Sequence, residues 1–143
     1  MTHQIWIQFG LAFALIGATT FLHAVMIVFG RKILRPVTNH EGLRGIASDT
    51  FRLVLISLWL FAAHIGSMWM WAALYLETGI SQTLEEALYF SMVTYTTLGF
   101  GDILAPVDWR LLTGAASANG LLLLGLSGAV IIDFTERLRR GRH

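Results

Sequence analysis

The sequence predicts an all-α membrane protein in which three helices cross the bilayer. Of its 143 residues, 55% are apolar and 13% are charged, and the mean hydropathy is +0.64. A soluble domain of this length needs more polar surface than this composition supplies. A helix needs about 20 mostly apolar residues to cross a bilayer. Three stretches meet this requirement, at 5–29, 51–76 and 111–134.

The distribution of charge predicts the orientation of these helices. Nine of the ten basic residues follow the first stretch, begin the second or follow the third. Five acidic residues lie between the second and third stretches, where Arg110 is the only basic residue. Basic residues concentrate on the cytoplasmic side of membrane proteins. We therefore expect the N-terminus outside, the C-terminus in the cytoplasm, and a multi-pass location in the inner (plasma) membrane of the cell.

Residues 1–143 are expected to form a single domain, and three further features restrict its class. Stretch 5–29 has no basic region before it and no evident cleavage site, which predicts a retained anchor rather than a signal peptide. The absence of cysteine excludes disulfides, thiolate metal sites and thiol catalysis. The spans lack a paired nucleophile and base, so we expect neither an enzyme nor a cofactor, and nothing favours nucleic-acid binding. Segment 31–50 is predicted to be a cytoplasmic connector, in which 41–48 could form a short interfacial helix.

The loop over 77–110 is neither polar throughout nor long enough to cross the bilayer again. Within it, Thr83 is followed three residues later by Glu86, the spacing of a capping box at a helix N-terminus. A helix is therefore expected to begin at Leu84 and to run to about Tyr95. Such a helix is about 18 Å long, which is roughly half the thickness of a bilayer. The loop is predicted to enter the membrane and return, with its irregular backbone buried in protein or facing water.

The segment after this helix, Thr-Thr-Leu-Gly-Phe-Gly-Asp at 96–102, carries the most specific pattern in the chain. Stacked rings of backbone carbonyls can replace the hydration shell of a potassium ion. Consecutive carbonyls point the same way when the backbone alternates between ordinary and left-handed conformations, and glycine adopts the latter without a Cβ penalty. Gly99 and Gly101 stand at alternate positions as this requires. Leu98 and Phe100 between them can turn back into the surrounding protein and brace the segment.

This segment resembles the Thr-Val-Gly-Tyr-Gly-Asp signature of the potassium channel family, and the resemblance implies a selectivity filter. The residues implied to coordinate potassium are Thr97, through its carbonyl and hydroxyl, and Leu98, Gly99 and Phe100, through their carbonyls. Those implied to close the outer mouth are Gly101 and Asp102. The implied elements are an outer helix at 51–76, a pore helix and filter at 84–102, an inner helix at 111–134 and, outside this module, an additional helix at 5–29.

The resemblance also implies an assembly. A ring of carbonyls around one axis needs four filter segments, and each chain has one, so a homotetramer is expected. The partners of each chain would be three identical subunits, membrane lipids and potassium ions. The expected function is passive, potassium-selective conduction. A nonselective cation channel and a poorly conducting subunit with a regulatory role are the alternatives.

The filter departs from the family pattern at several positions. Leu98 replaces the usual Val, and Phe100 replaces the usual Tyr and lacks its hydroxyl. Where many relatives carry two Trp, this chain has Tyr89 and Phe90, and Phe90 cannot donate a hydrogen bond toward the filter aspartate. Val93 stands where some relatives have a glutamate that pairs with that aspartate. These differences predict a filter prone to inactivation or imperfect selectivity. The residues expected to support the filter are Tyr89, Phe90, Val93, Thr96 and Asp102.

Several small or polar residues within the spans have two interpretations each. Gly120 could be a gating hinge of the inner helix or a small residue that lets helices approach closely, and we favour the second. His64 and His23 could sense protons, because histidine titrates near neutral pH. We favour neutral side chains hydrogen-bonded between helices. Asn119 is expected to bond the pore helix.

Overall fold

A computed structural model describes residues 2–38 and 46–140 and contains four helices. Their bounds are α1 Thr2–Thr38, α2 Ile46–Glu77, α3 Leu84–Tyr95 and α4 Arg110–Arg140, with a short 3-10 turn at Val107–Trp109 before α4. These described ranges contain no β-strand. The all-α prediction is confirmed. Of the predicted connector, residues 31–38 continue α1 and residues 46–50 begin α2. Residues 39–45, which include 41–45 of the segment considered as an interfacial helix, lie outside the described residues.

Three of the helices are long enough and apolar enough to cross a membrane. The spans run from His3 to Lys32, from Ile46 to Glu77 and from Val107 to Arg139. Each contains one of the predicted apolar stretches and extends past it, because a helix continues into the polar boundary of a membrane wherever no residue breaks it. The protein is therefore a multi-pass membrane protein.

Helix α3 is capped at its N-terminus as the sequence indicates. The Thr83 hydroxyl accepts a hydrogen bond from the backbone N–H of Glu86 at 3.2 Å. The Glu86 carboxylate accepts in return from the backbone N–H of Gln82 at 2.9 Å, one residue earlier than in the standard capping box. The helix begins at Leu84 and ends at Tyr95, the bounds expected from the sequence.

The apolar core lies where α3 packs against α2 and α4. Helix α1 packs on the other sides of α2 and α4 and makes no comparable contact with α3. A second, smaller cluster joins the C-terminal parts of α1 and α4 to the N-terminal half of α2. The buried side chains of the main core include Ala12, Trp71, Ala72, Tyr75, Phe90, Tyr95, Leu112, Ala116 and Leu123, and those of the smaller cluster are Ile56 and Leu60.

Helix α1 is joined to α4 by buried hydrogen bonds at two depths. The Gln8 side-chain oxygen accepts from the backbone N–H of Leu112 at 3.1 Å, in the first turn of α4. Deeper in the membrane, the Asn119 amide donates to the Thr19 hydroxyl at 2.8 Å. The expectation that Asn119 bonds the pore helix is therefore wrong, because its side chain faces α1. Water does not compete for such bonds within a bilayer, so α1 is docked as part of the subunit.

The C-terminal half of α1 contacts α2 and α4 as well. The Trp59 indole donates to the Met26 carbonyl at 2.8 Å. A Cβ at Gly30 would lie 2.5 Å from the Trp59 indole nitrogen, so the absence of a side chain there allows this approach. Arg31 lies 3.6 Å from the Asp133 carboxylate on α4, an exposed pair of small energetic effect. Helix α1 thus contacts its neighbours α2 and α4 toward both of its ends.

Gly120 lies where α4 contacts the C-terminal end of α3. A Cβ at this position would lie 1.8 Å from the Tyr95 carbonyl oxygen and 3.0 Å from the Tyr95 ring. The helix α4 continues without interruption through this residue. Close helix approach is the role that this geometry gives Gly120, and a hinge at this residue stays a prediction.

We expect replacement Gly120→Ala to destabilise the fold by about 1–3 kcal/mol, because the added methyl group overlaps backbone atoms that cannot move aside cheaply. Thermal unfolding of the purified protein in detergent would measure the loss. The matched control is Gly17→Ala on α1, where an added Cβ meets no atom within 4 Å. Equal melting temperatures for the two variants would contradict the packing that we describe.

Candidate functional site: the loop after helix α3

The loop 96–102 has an alternating backbone. Residues Thr97, Gly99 and Gly101 have positive φ angles of 62°, 57° and 78°, whereas Leu98 and Phe100 between them do not. Among the described residues, Gly79 is the only other one with a positive φ. Alternation of this kind turns successive carbonyls toward the same side of the chain, as expected for Gly99 and Gly101.

The positive φ of Thr97 was not foreseen from the sequence. A β-branched residue rarely adopts this conformation, and such strain costs about 1–3 kcal/mol wherever it occurs. The one signal in the sequence is its spacing, since Thr97 stands two residues before Gly99 and continues the same alternation. Strain at a backbone position is held only where the surrounding structure fixes it, and the hydrogen bonds of the loop show how this is done.

The inner half of the loop is tied to the last turn of α3. The Thr97 N–H donates to the Thr94 carbonyl at 3.0 Å, and the N–H groups of Leu98 and Gly99 both donate to the Val93 carbonyl, at 3.0 and 3.2 Å. The final carbonyls of a helix have no partner within the helix. Here they accept from the loop instead, which leaves the carbonyls of the loop itself free. Val93, expected to support the loop, does so through its backbone, while its side chain is buried.

Thr96 closes the end of α3. Its backbone N–H donates to the Met92 carbonyl at 3.1 Å, and its hydroxyl donates to the same oxygen at 2.7 Å. Helix α3 is in turn fixed to its neighbours through polar side chains. The Ser91 hydroxyl donates to the Met68 carbonyl of α2 at 2.7 Å, and the Ser117 hydroxyl of α4 donates to the Thr94 carbonyl at 2.8 Å. The support of the loop therefore extends to both neighbouring helices.

The outer end of the loop is held by Tyr89. Its hydroxyl donates to the Asp102 carboxylate at 2.5 Å. This hydrogen bond lowers the pKa of Asp102 below its ordinary value and raises the pKa of Tyr89. From the sequence, Phe90 was noted as unable to donate a hydrogen bond toward Asp102. In the structure Phe90 is buried, with its ring 5.3 Å from that of Tyr75. The donor is the residue before it.

The side chains of the loop are not covered within one subunit. Leu98 is 57% exposed and Phe100 is 66% exposed. The expected bracing of these side chains by surrounding protein is not found within one chain. A cavity of about 430 Å³ lies beside the loop. Its lining includes Phe90, Val93, Thr94, Gly99, Gly101 and Arg110.

His64 is buried behind the end of α3, with both ring nitrogens in hydrogen-bond contact. Its Nδ1 lies 3.0 Å from the Tyr95 hydroxyl, and its Nε2 lies 2.9 Å from the Ser127 hydroxyl. The His23 ring of α1 lies 4.6 Å from the His64 ring, centre to centre. The favoured interpretation, a histidine hydrogen-bonded between helices, agrees with these contacts, and a pH-sensing role stays a prediction. Within the described residues, no three His, Asp or Glu side chains group closely enough to hold a metal ion.

We expect replacement Tyr89→Phe to raise the pKa of Asp102 toward that of an ordinary aspartate, because the hydrogen bond that favours the carboxylate is lost. In the unmodified protein this bond stabilises the loop at pH values above the ordinary aspartate pKa. The stabilisation is lost as the pH falls through the lowered pKa of Asp102. Carbon-13 NMR of protein labelled at aspartate, titrated with acid, would follow the carboxyl signal, and Asp102→Asn would identify it.

The matched control is Tyr75→Phe. The Tyr75 hydroxyl lies 3.2 Å from the Thr94 hydroxyl and does not contact Asp102. This variant should leave the Asp102 titration unchanged. An Asp102 signal that titrates identically in Tyr89→Phe and in the unmodified protein would contradict the assigned hydrogen bond.

Comparison with known proteins adds one finding. A protein-family model described as "Ion channel" matches residues 51–137, which include most of α2, all of α3, the loop 96–102 and most of α4. Helix α1 lies outside the matched region. No curated protein and no solved structure matches the chain. Because the match covers more than half of the 143 residues, the chain belongs to this ion channel family.

Proposed function

We propose that the protein is one subunit of a tetrameric, potassium-selective channel that conducts passively. The observation that carries the proposal is the alternation of positive φ at Thr97, Gly99 and Gly101 in a loop that directly follows a half-length helix. Carbonyls aligned in this way offer a dehydrated cation successive sets of oxygen ligands. Conduction of this kind needs no covalent chemistry and no cofactor.

The proposed ion sites are formed by backbone atoms. The carbonyls of Thr97, Leu98, Gly99 and Phe100, together with the Thr97 hydroxyl, would coordinate potassium, and Gly101 and Asp102 would close the outer mouth. The C-terminal end of α3 carries the partial negative charge of a helix dipole. In a symmetric assembly the four α3 helices would direct this charge toward an ion that pauses on the axis.

Exposed apolar surface supports an assembly of several chains. A single strand cannot surround an ion, and the uncovered Leu98 and Phe100 side chains would gain the missing contacts from a neighbouring subunit. Helix α4 also leaves one apolar face free of contacts within the subunit. The exposed residues on this helix include Leu111, Leu121, Leu122, Leu124, Leu126 and Ile132. Four copies around one axis would bury this face and complete four carbonyl rings.

The proposed location is the plasma membrane, with the N-terminus outside and the C-terminus in the cytoplasm. The support for this orientation is the concentration of basic residues at one end of the spans. Membrane lipids are the expected partners of the outward face of α1. Large apolar side chains there, such as Trp6, Phe13 and Phe21, are each more than 70% exposed.

A nonselective cation channel, or a poorly conducting regulatory subunit, is the second candidate. Phe90 and Phe100 have no polar atom on their side chains, and Val93 has no carboxylate, so these three residues cannot tie the middle of the filter by side-chain hydrogen bonds. The side-chain bond from Tyr89 to Asp102 holds only the outer end. A filter supported in this way is expected to inactivate readily or to discriminate poorly between potassium and sodium.

Flux measurements test the proposed function directly. We expect purified protein in potassium-loaded liposomes to pass potassium in preference to sodium, and barium to block the flux. Native mass spectrometry of the same preparation should give a mass of four chains. Absence of flux from well-inserted tetramers would contradict the channel function, and equal potassium and sodium permeability would favour the second candidate.

Replacement Gly99→Ala should abolish selective conduction, because alanine disfavours the positive φ that aligns the carbonyls. The matched control is Gly79→Ala, in the turn after α2. Both glycines have positive φ, and at neither does an added Cβ meet an atom closer than 4.0 Å. The two replacements therefore impose similar backbone strain, inside and outside the proposed filter. Selective flux that survives equally in both variants would contradict the filter assignment.

A further inference from the structure

A buried polar cluster, formed by His23, Ser67, His64, Tyr95 and Ser127, connects all four helices. His23 lies on α1, and Ser67 and His64 lie on α2. Tyr95 is the last residue of α3, and Ser127 lies on α4. None of these side chains is more than 6% exposed. The proposed conduction pathway uses none of them. The cluster therefore needs a separate explanation.

Tyr95 is the member closest to the filter. It is the last residue of α3 and directly precedes Thr96 and the strained Thr97. Its backbone carbonyl lies against Gly120 of α4, and its hydroxyl reaches His64 of α2. Both ends of this residue are thus held by neighbouring helices.

His64 is fixed by contacts on both edges of its ring. Nδ1 lies 3.0 Å from the Tyr95 hydroxyl, and Nε2 lies 2.9 Å from the Ser127 hydroxyl. A different ring orientation would leave at least one of these buried polar groups without a partner. Such a loss is costly where water cannot replace it. The His64 ring therefore fixes the position of the Tyr95 hydroxyl.

His23 of α1 completes the support of the His64 ring. Its Nδ1 lies 3.1 Å from the Thr19 carbonyl, which can only accept, so Nδ1 carries the proton. The Ser67 hydroxyl also lies 3.4 Å from this nitrogen. The His23 ring, tilted by 60°, packs on His64 with a centre-to-centre distance of 4.6 Å. The His23 ring of α1 thus packs directly against the His64 ring.

We propose that His64 positions the inner end of the filter through Tyr95, and that His23 of α1 holds His64 in place. His64 and His23 are positioning residues, since neither touches the ion path. The inference depends on the proposed channel function. It also gives α1, which lies outside the family match, a role in ion selection. The strained backbone of Thr97 is maintained because Tyr95, two residues earlier, is held in place.

The test compares three hydroxyl or ring replacements by bi-ionic reversal potentials in liposome-fused bilayers. Tyr95→Phe and His64→Leu should each lower the potassium-to-sodium permeability ratio by about fivefold, the factor that corresponds to one typical hydrogen bond. The double variant should lose no more than the larger single loss, because both remove the same interaction. His23→Leu should change the ratio in the same direction by a smaller factor.

Two controls separate positioning from general loss of stability. Tyr75→Phe also removes a hydroxyl that contacts α3, at the Thr94 side chain. The Thr94 hydroxyl keeps its bond to the Phe90 carbonyl, and the Thr94 carbonyl still accepts from Thr97. Tyr75→Phe should lower the melting temperature without changing the permeability ratio. His64→Gln, whose amide can still bond Tyr95 or Ser127, should insert and recover part of the ratio lost in His64→Leu.

The possible failures are distinguishable. An unmodified protein that shows no potassium selectivity overturns the proposed function and this inference together. The positioning role alone is overturned if the unmodified protein is selective and Tyr95→Phe and His64→Gln both have the same permeability ratio as Tyr75→Phe. Strictly additive losses in the double variant would also overturn it, because His64 would then not act through Tyr95. A ratio unchanged in His23→Leu removes the role assigned to α1.

Discussion

The structure depends on the hydrogen bonds that the Val93 carbonyl accepts from the backbone of Leu98 and Gly99. Within a bilayer every backbone polar group needs a partner in protein or in enclosed water. A helix that stops half-way across leaves carbonyls without partners, and an irregular loop leaves N–H groups without partners. In this fold each supplies what the other lacks. The carbonyls of the loop are consequently left without a hydrogen-bond partner. They are therefore available to bind a cation.

The other helices hold α3 and the loop in the positions that these hydrogen bonds require. Helix α2 holds α3 through Ser91 and Met68, and α4 holds it through Ser117 and through the close approach at Gly120. Helix α1 acts on α3 through its His23 ring, which packs on His64, and His64 in turn contacts Tyr95. Each element thus fixes the end of α3, where the loop begins, and the strain at Thr97 is tolerated because several helices share in restraining it.

The sequence predicts the local features well and the distant pairings poorly. Apolar length identifies the three spans, the Thr83 capping box identifies the start of α3, and the glycines at 99 and 101 identify the alternating backbone. These features depend on neighbouring residues alone. The prediction that Asn119 bonds the pore helix is wrong, since its partner is Thr19 of α1, and the donor role of Tyr89 toward Asp102 was not foreseen. Each of these pairings depends on how the helices are rotated against one another. The residue type of Thr97 does not indicate its positive φ. The only indication is its place in the alternation with Gly99 and Gly101.

The polar contacts of α1 also have a consequence for how the protein is made. Gln8 and Thr19 find their partners on α4, at sequence separations of 104 and 100 residues. Synthesis proceeds from the N-terminus, at about 5–20 residues per second, so α1 leaves the ribosome many seconds before Leu112 and Asn119 exist. During this interval Gln8 lacks its partner on α4, and the Thr19 hydroxyl bonds only the Leu15 and Ile16 carbonyls of its own helix. The polar contacts of α1 are therefore completed only when α4 has been made. A nascent subunit truncated before α4 would present unpaired polar groups to lipid or to the insertion machinery.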